Sequence, residues 1–382
     1  MTCASNQRSK LPRRCRSIVS IVILVTTTSL VVPVVVTTPL AAAPSDAHLS
    51  TASSAVAVGV ARCTFVDHTR PVLNYSTTPN TVLSTSRRLV TEVRYRAHDI
   101  VGGPRESVNA NPVQRSGGYP MIVFAHGYDV TPDTYAALLD AWVRAGFVVV
   151  APYFPDEQAS AIAAQRGANT EGDLANEPAD LSFVTKEILD ASAAATSNCP
   201  IVKGLVRASE IALAGHSDGA DAVAMLAYGH GTDPQGVKFT SLHSRIDYRA
   251  VVIMSGKEAT AQPYAAETGR PSLLVIQSLA DTCNPFVNSV KLYDRVHQSN
   301  KWFLELRIAH HLPPFNGTDR SDFRVVTTTS IGFLQVSLHV TTSPRSLVAL
   351  GNQNPLLARM YASSRGPSLS NAPTLVESCG PN

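Results

Sequence analysis

Short apolar runs alternate with amphipathic stretches along most of the chain. Leu89–Ala97 has a period of two, with Leu89, Val93 and Tyr95 on one face, and predicts a strand. Met121–Ala125 is a short run of apolar residues closed by His126-Gly127. Pro132–Ala145 has helical spacing, with Tyr135, Leu138, Leu139 and Trp142 on one stripe, and Phe147–Ala151 follows as a buried strand. Leu181–Ala195 is helical. Ile211–Ala214 is a strand that runs through Gly215-His216-Ser217-Asp218-Gly219 into a helix reaching Tyr228. Val251–Met254, Leu273–Ile276 and Phe303–Ile308 complete the strands. Apolar strands separated by helices predict an α/β fold: a mostly parallel central sheet with helices on both faces.

The N-terminal pattern differs. Arg8, Lys10, Arg13, Arg14 and Arg16 precede an apolar run, Ile18–Val36, which is followed by the small residues around Ala41-Ala42-Ala43. These are the parts of a secretory signal over residues 1–47, with cleavage expected after Ala43 or Ala47. If uncleaved, the run would tether the protein to a membrane, since its length approaches that of a spanning helix. Residues 48–59 read as a flexible lead-in, 60–362 as one α/β domain, and 363–382 as a C-terminal tail. The expected location is extracellular, with no stable membrane span once the signal is removed.

Composition sharpens this picture in two places. The formal charge of +3 comes from 32 basic and 29 acidic residues. Without residues 1–47 the body keeps 27 basic and 28 acidic residues. A near-neutral body argues against nucleic acid as a partner, because that requires a basic face to displace phosphate counterions. Cys63, Cys199, Cys283 and Cys379 remain after the signal, an even number suited to two disulfides in an oxidising compartment. Three pairings are possible.

Gly215-His216-Ser217-Asp218-Gly219 carries the chemistry. It fits the G-x-S-x-G turn that lifts a serine off the end of a strand onto the start of a helix. Ser217 is the expected nucleophile. In this fold class the acid and then the histidine follow it in the chain. Asp281, just beyond the strand Leu273–Ile276, is the favoured acid over Asp247 and Asp294. The base is His310 or His311, both beyond Phe303–Ile308. Two backbone N–H groups should hold the oxyanion, those of Tyr128 and Asp218. His126 is expected to brace its loop. Tyr153, Phe154, Phe286 and Phe315 are candidates for an apolar substrate site, as are Tyr128 and Leu312. The Asp218 carboxylate is expected to face solvent and cap the following helix. No metal or organic cofactor is implied.

Phe65–Pro71, Tyr95-Arg96-Ala97, Phe124–Tyr128, Ala151–Pro155 and Ala214–Ala220 together resemble secreted bacterial α/β-hydrolases of the chlorophyllase, dienelactone-hydrolase-like and platelet-activating-factor-acetylhydrolase-like groups. The resemblance spans about residues 60–340. It implies an α/β-hydrolase fold and a Ser-His-Asp serine hydrolase that acts on small-molecule or lipid-like esters. It also selects His311, since a histidine closes the corresponding loop in that group. Two departures stand out. Dienelactone hydrolases proper use a cysteine where this chain has Ser217. Secreted polyester hydrolases usually carry Met after the nucleophile and a clamping Trp after the next strand, where this chain has Asp218 and Met254-Ser255-Gly256. An amidase or peptidase on the same three residues, or an inactive binding protein of the same fold, are the alternatives.

Overall fold

The computed structural model describes residues 56–362 apart from 99–105, 166–169, 195–197, 258–270, 298 and 341–345, and in the tail 366–369, 373, 375, 378 and 379. The chain divides into two units, Met1–Ala52 and Ser53–Asn382, and the described residues belong to the second. The expected signal over 1–47 lies outside the described residues, as do positions 48–55 of the lead-in. The rest of that lead-in is corrected: the first strand begins at Ala57.

The strands are β1 (Ala57–Asp67), β2 (Val72–Asn74), β3 (Thr81–Ser84), β4 (Arg87–Ala97), β5 (Glu106–Val108), β6 (Tyr119–Ala125), β7 (Val148–Pro152), β8 (Val206–His216), β9 (Tyr248–Met254), β10 (Ser272–Ser278), β11 (Lys301–Leu306) and β12 (Ala358–Ala362). Ten of them form one sheet in the order β12-β11-β10-β9-β8-β6-β7-β4-β1-β5, while β2 and β3 make a separate hairpin. From β7 to β11 all pairings are parallel. The β1–β4, β4–β7 and β11–β12 pairings are antiparallel. This is the α/β-hydrolase fold.

Alternation along each parallel strand divides the apolar residues between two cores. Met121, Val123, Leu213, Ile253 and Val275 face one way, and Ile122, Phe124, Ala214, Val252 and Leu274 the other. The helices Glu177–Ala193, Asp218–Tyr228 and Phe286–Arg295 cover the first face. Ala136–Arg144 and Arg320–Ser337 cover the second. Burial on both faces is why the strands read as apolar runs.

The disulfides pair Cys63 with Cys199 and Cys283 with Cys379. Cys63 lies on β1, and the second bridge ties the tail to the loop beyond β10. Among the described residues no helix is long and apolar enough to cross a membrane.

Candidate active site

The carboxyl ends of β6, β8, β10 and β11 meet at a cavity of about 850 Å³, where a parallel sheet of this kind gathers its reactive groups. Ser217 stands between β8 and the helix Asp218–Tyr228 with φ 55° and ψ −126°. A side chain seldom adopts that conformation, so the turn must be held from outside. The Ser217 N–H donates to Met254 O at 3.0 Å, and Ser217 O accepts from the N–H groups of Ala220 and Asp221. The flanking glycines allow the close approach. A Cβ on Gly215 would strike the Gly219 carbonyl, and one on Gly219 would strike the carbonyls of Ala125 and His126.

Asp281 is fully buried beyond β10. Its Oδ1 accepts from the N–H groups of Cys283 at 2.9 Å and Asn284 at 3.0 Å. Its Oδ2 accepts from Gln277 Nε2 at 3.3 Å and from His311 Nδ1 at 2.9 Å. A ring that donates from Nδ1 leaves Nε2 as its basic nitrogen. His311 is buried and lines the cavity with Ser217, whereas His310 is exposed.

Tyr128 and Asp218 line the same cavity. On either side of Tyr128 the N–H groups are engaged: Gly127 donates to Tyr135 Oη at 3.3 Å and Asp129 to Glu157 O at 2.8 Å. His126 braces this loop. Its Nδ1 donates to Gly127 O at 2.8 Å, and its Nε2 accepts from Phe154 N–H at 3.1 Å. Burial pulls its pKa down to about 4, so it stays neutral.

The spacing of motifs gave no sign of one further group. His216 is buried next to Ser217, its Nε2 donating to His311 O at 3.0 Å and its Nδ1 accepting from Tyr135 Oη at 2.7 Å. Tyr135 Oη in turn accepts from Gly127. The pair thus joins the histidine loop to the loop that carries Tyr128. The signal available in the sequence was His216 inside the serine motif, together with a helical tyrosine on the buried stripe.

The four aromatic candidates for substrate contact are corrected, as none lines the cavity. Phe154 is buried against His126, and Phe286 packs edge-on to Phe303 in the core. Phe315 packs at a tilt against His216 with ring centroids 4.8 Å apart. Tyr153 lies outside, donating to Asp133 at 2.6 Å and accepting from Arg62. Apolar residues in a parallel-sheet protein fill the layers first, and the wall over Ser217 is polar and apolar in about equal parts. Leu312, Val130 and Tyr128 supply its apolar parts, and Asp129, Glu171, Lys257, Asn284 and Asn316 its polar ones. Asp218 is the second correction. It is buried in the cavity wall, and it is the first residue of the helix, not its cap. Among the described residues no group of three or more His, Cys, Asp or Glu is placed to hold a metal ion.

A family model described as chlorophyllase matches residues 80–248. That span runs from β3 to the start of β9 and includes the serine turn. A sequence search of curated proteins returns no match. Among solved structures, a ferulic acid esterase from Streptomyces cinnamoneus matches with a TM-score of 0.57 over 81% of this chain and 97% of that one. Its sequence identity is 15%, so the likeness is one of fold. The chain is therefore an α/β-hydrolase-fold protein, similar through its serine-bearing half to the chlorophyllase family.

Proposed function

We propose that the protein is an exported serine hydrolase that cleaves carboxylic esters through Ser217, His311 and Asp281. The observation that carries this is the His311–Asp281 hydrogen bond, which opens onto the cavity lined by the Ser217 turn. Ser217 Oγ attacks the ester carbonyl, and His311 Nε2 takes its proton. Asp281 holds the ring in the tautomer with the proton on Nδ1 and stabilises the imidazolium. The N–H groups of Tyr128 and Asp218 receive the oxyanion, at the positive end of the helix Asp218–Tyr228. The proton then passes to the leaving alcohol, and water repeats the cycle on the acyl-enzyme. The esterase neighbour and the chlorophyllase-family match support ester over amide cleavage. The two disulfides support export by the N-terminal signal.

The test is covalent labelling by a fluorophosphonate, paired with turnover of nitrophenyl esters and the matching anilides. Labelling and ester turnover should both vanish in Ser217→Ala, and the anilides should react far more slowly. Labelling that persists in Ser217→Ala would refute the assignment.

A further inference from the structure

The side chain beside the nucleophile has no part in that mechanism. Asp218 is 7% exposed and lines the cavity. Its Oδ2 is buried without a hydrogen-bond partner among the described residues. Such a carboxylate is unfavourable in two ways. It is desolvated without compensation, and its charge opposes the oxyanion forming next to its own N–H. The helix N-terminus offsets only part of this.

None of the described groups facing Asp218 hydrogen-bonds to its Oδ2. Glu171, Lys257 and His311 approach it from three other segments. Asp221 on its own helix and the buried Glu157, Glu177 and Tyr135 also lie within its field. Among the described residues the cavity wall carries Asp129, Glu171 and Asp218 with one lysine, Lys257, whose backbone N–H donates to Asp221. An unpartnered acceptor in a negatively charged wall is complementary to a cation.

We infer that Asp218, with Asp129 and Glu171, forms a subsite for an ammonium-bearing portion of the ester substrate. The inference rests on the ester-hydrolase reading above. A bound cation supplies Asp218 with the partner it lacks and removes its opposition to the oxyanion. Burial, with Glu171 adding to it, pushes the Asp218 pKa up to about 6, against the pull of Lys257 and His311. Asp218 therefore carries its charge above neutrality and loses it in mild acid.

Isosteric ester pairs test this directly. Butyrylcholine and 3,3-dimethylbutyl butyrate place the charge on the alcohol side. Nitrophenyl 4-(trimethylammonio)butyrate and nitrophenyl 5,5-dimethylhexanoate place it on the acyl side. At about pH 8 the wild type should favour the cationic member of at least one pair by about tenfold in kcat/KM, mainly through KM. The preference should shrink as pH falls below about 6. Asp218→Asn should abolish the preference and its pH dependence, and Glu171→Gln should weaken it should the first variant fold poorly. Ser217-dependent turnover with no cation preference in either pair, or a preference retained in Asp218→Asn, overturns the subsite and leaves the hydrolase reading intact. No labelling and no ester turnover overturns both.

Discussion

Ser217 occupies a backbone conformation that favours glycine, so the residue proposed as nucleophile also stores strain. Its φ of 55° and ψ of −126° belong to a region that costs roughly 1–3 kcal/mol for a residue with a Cβ. Ser217→Gly should relieve this and Ser217→Ala should not. Both variants should be inactive, but the glycine variant should be the more stable by about 1–3 kcal/mol in chemical denaturation. Equal stabilities would mean the turn is not strained. Tyr135 acts at the same scale. Its hydroxyl donates to His216 and accepts from Gly127. Tyr135→Phe leaves a buried imidazole nitrogen and a buried N–H unpaired, so stability should fall by about 1–3 kcal/mol. Because Gly127 precedes the proposed oxyanion donor Tyr128, kcat should fall more than KM changes. A kcat unchanged in steady-state assays would show that the bracket supports the fold alone.

The elements around the cavity are joined by a buried charge cluster. Arg87 on β4 is fully buried, and its guanidinium pairs with Asp173 at 2.7 Å and Asp180 at 2.7 Å. Asp173 belongs to the 3-10 turn Thr170–Asn176, which also presents Glu171 to the cavity, and Asp180 lies in the first turn of the next helix. The cluster thus ties one wall of the cavity to the sheet. Arg87→Ala leaves the buried Asp173 without its cation, while Asp180 keeps Arg70 at 2.6 Å, and should cost about 3–5 kcal/mol. A loss below 1 kcal/mol in urea unfolding would mean that the cluster does not tie this wall to the sheet. Glu157 and Glu177 are buried as well, and burial, with the charges of neighbouring acids adding to it, pushes both well above the ordinary carboxylate range.

For the whole molecule these buried acids give stability an unusual pH dependence. Burial, then the charge of Asp173, pushes the Asp156 pKa up to about 7. The unfolded chain releases that proton near pH 4. Between those two values the folded protein holds more protons, so this group's contribution to stability falls as pH rises and is constant above about 7. Glu157 and Glu177 act in the same direction. The thermal midpoint should therefore decline from about pH 5 to about pH 7.5. Asp156→Asn keeps an oxygen for Gln165, which now donates to Asp156 Oδ1 at 2.8 Å. The variant should melt higher than wild type at about pH 8, with a shallower decline by calorimetry. An identical decline in the variant would assign the effect to other groups.

The sequence by itself determined the layered sheet and the order of its chemistry. Strands buried on both faces must be apolar along their length, so their positions are written locally. A serine turn needs Gly215 and Gly219 beside Ser217 for steric reasons that hold in any surroundings. The preference for Asp281 and for the His310-His311 pair followed from where strands end. Tertiary structure decided whatever depends on which distant segments meet. It pairs Cys63 with Cys199 across 136 residues, a choice that four cysteines leave open. It withdraws Phe154, Phe286 and Phe315 into the core, because an aromatic ring is equally at home in a core layer and in a pocket. It joins Tyr135, His216 and His311 next to the serine. It also buries Asp218, whose sequence position suggested a solvent-facing helix start. Burial is set by the loop carrying Glu171 and by the segments around Lys257 and His311, and no local pattern at Asp218 encodes them.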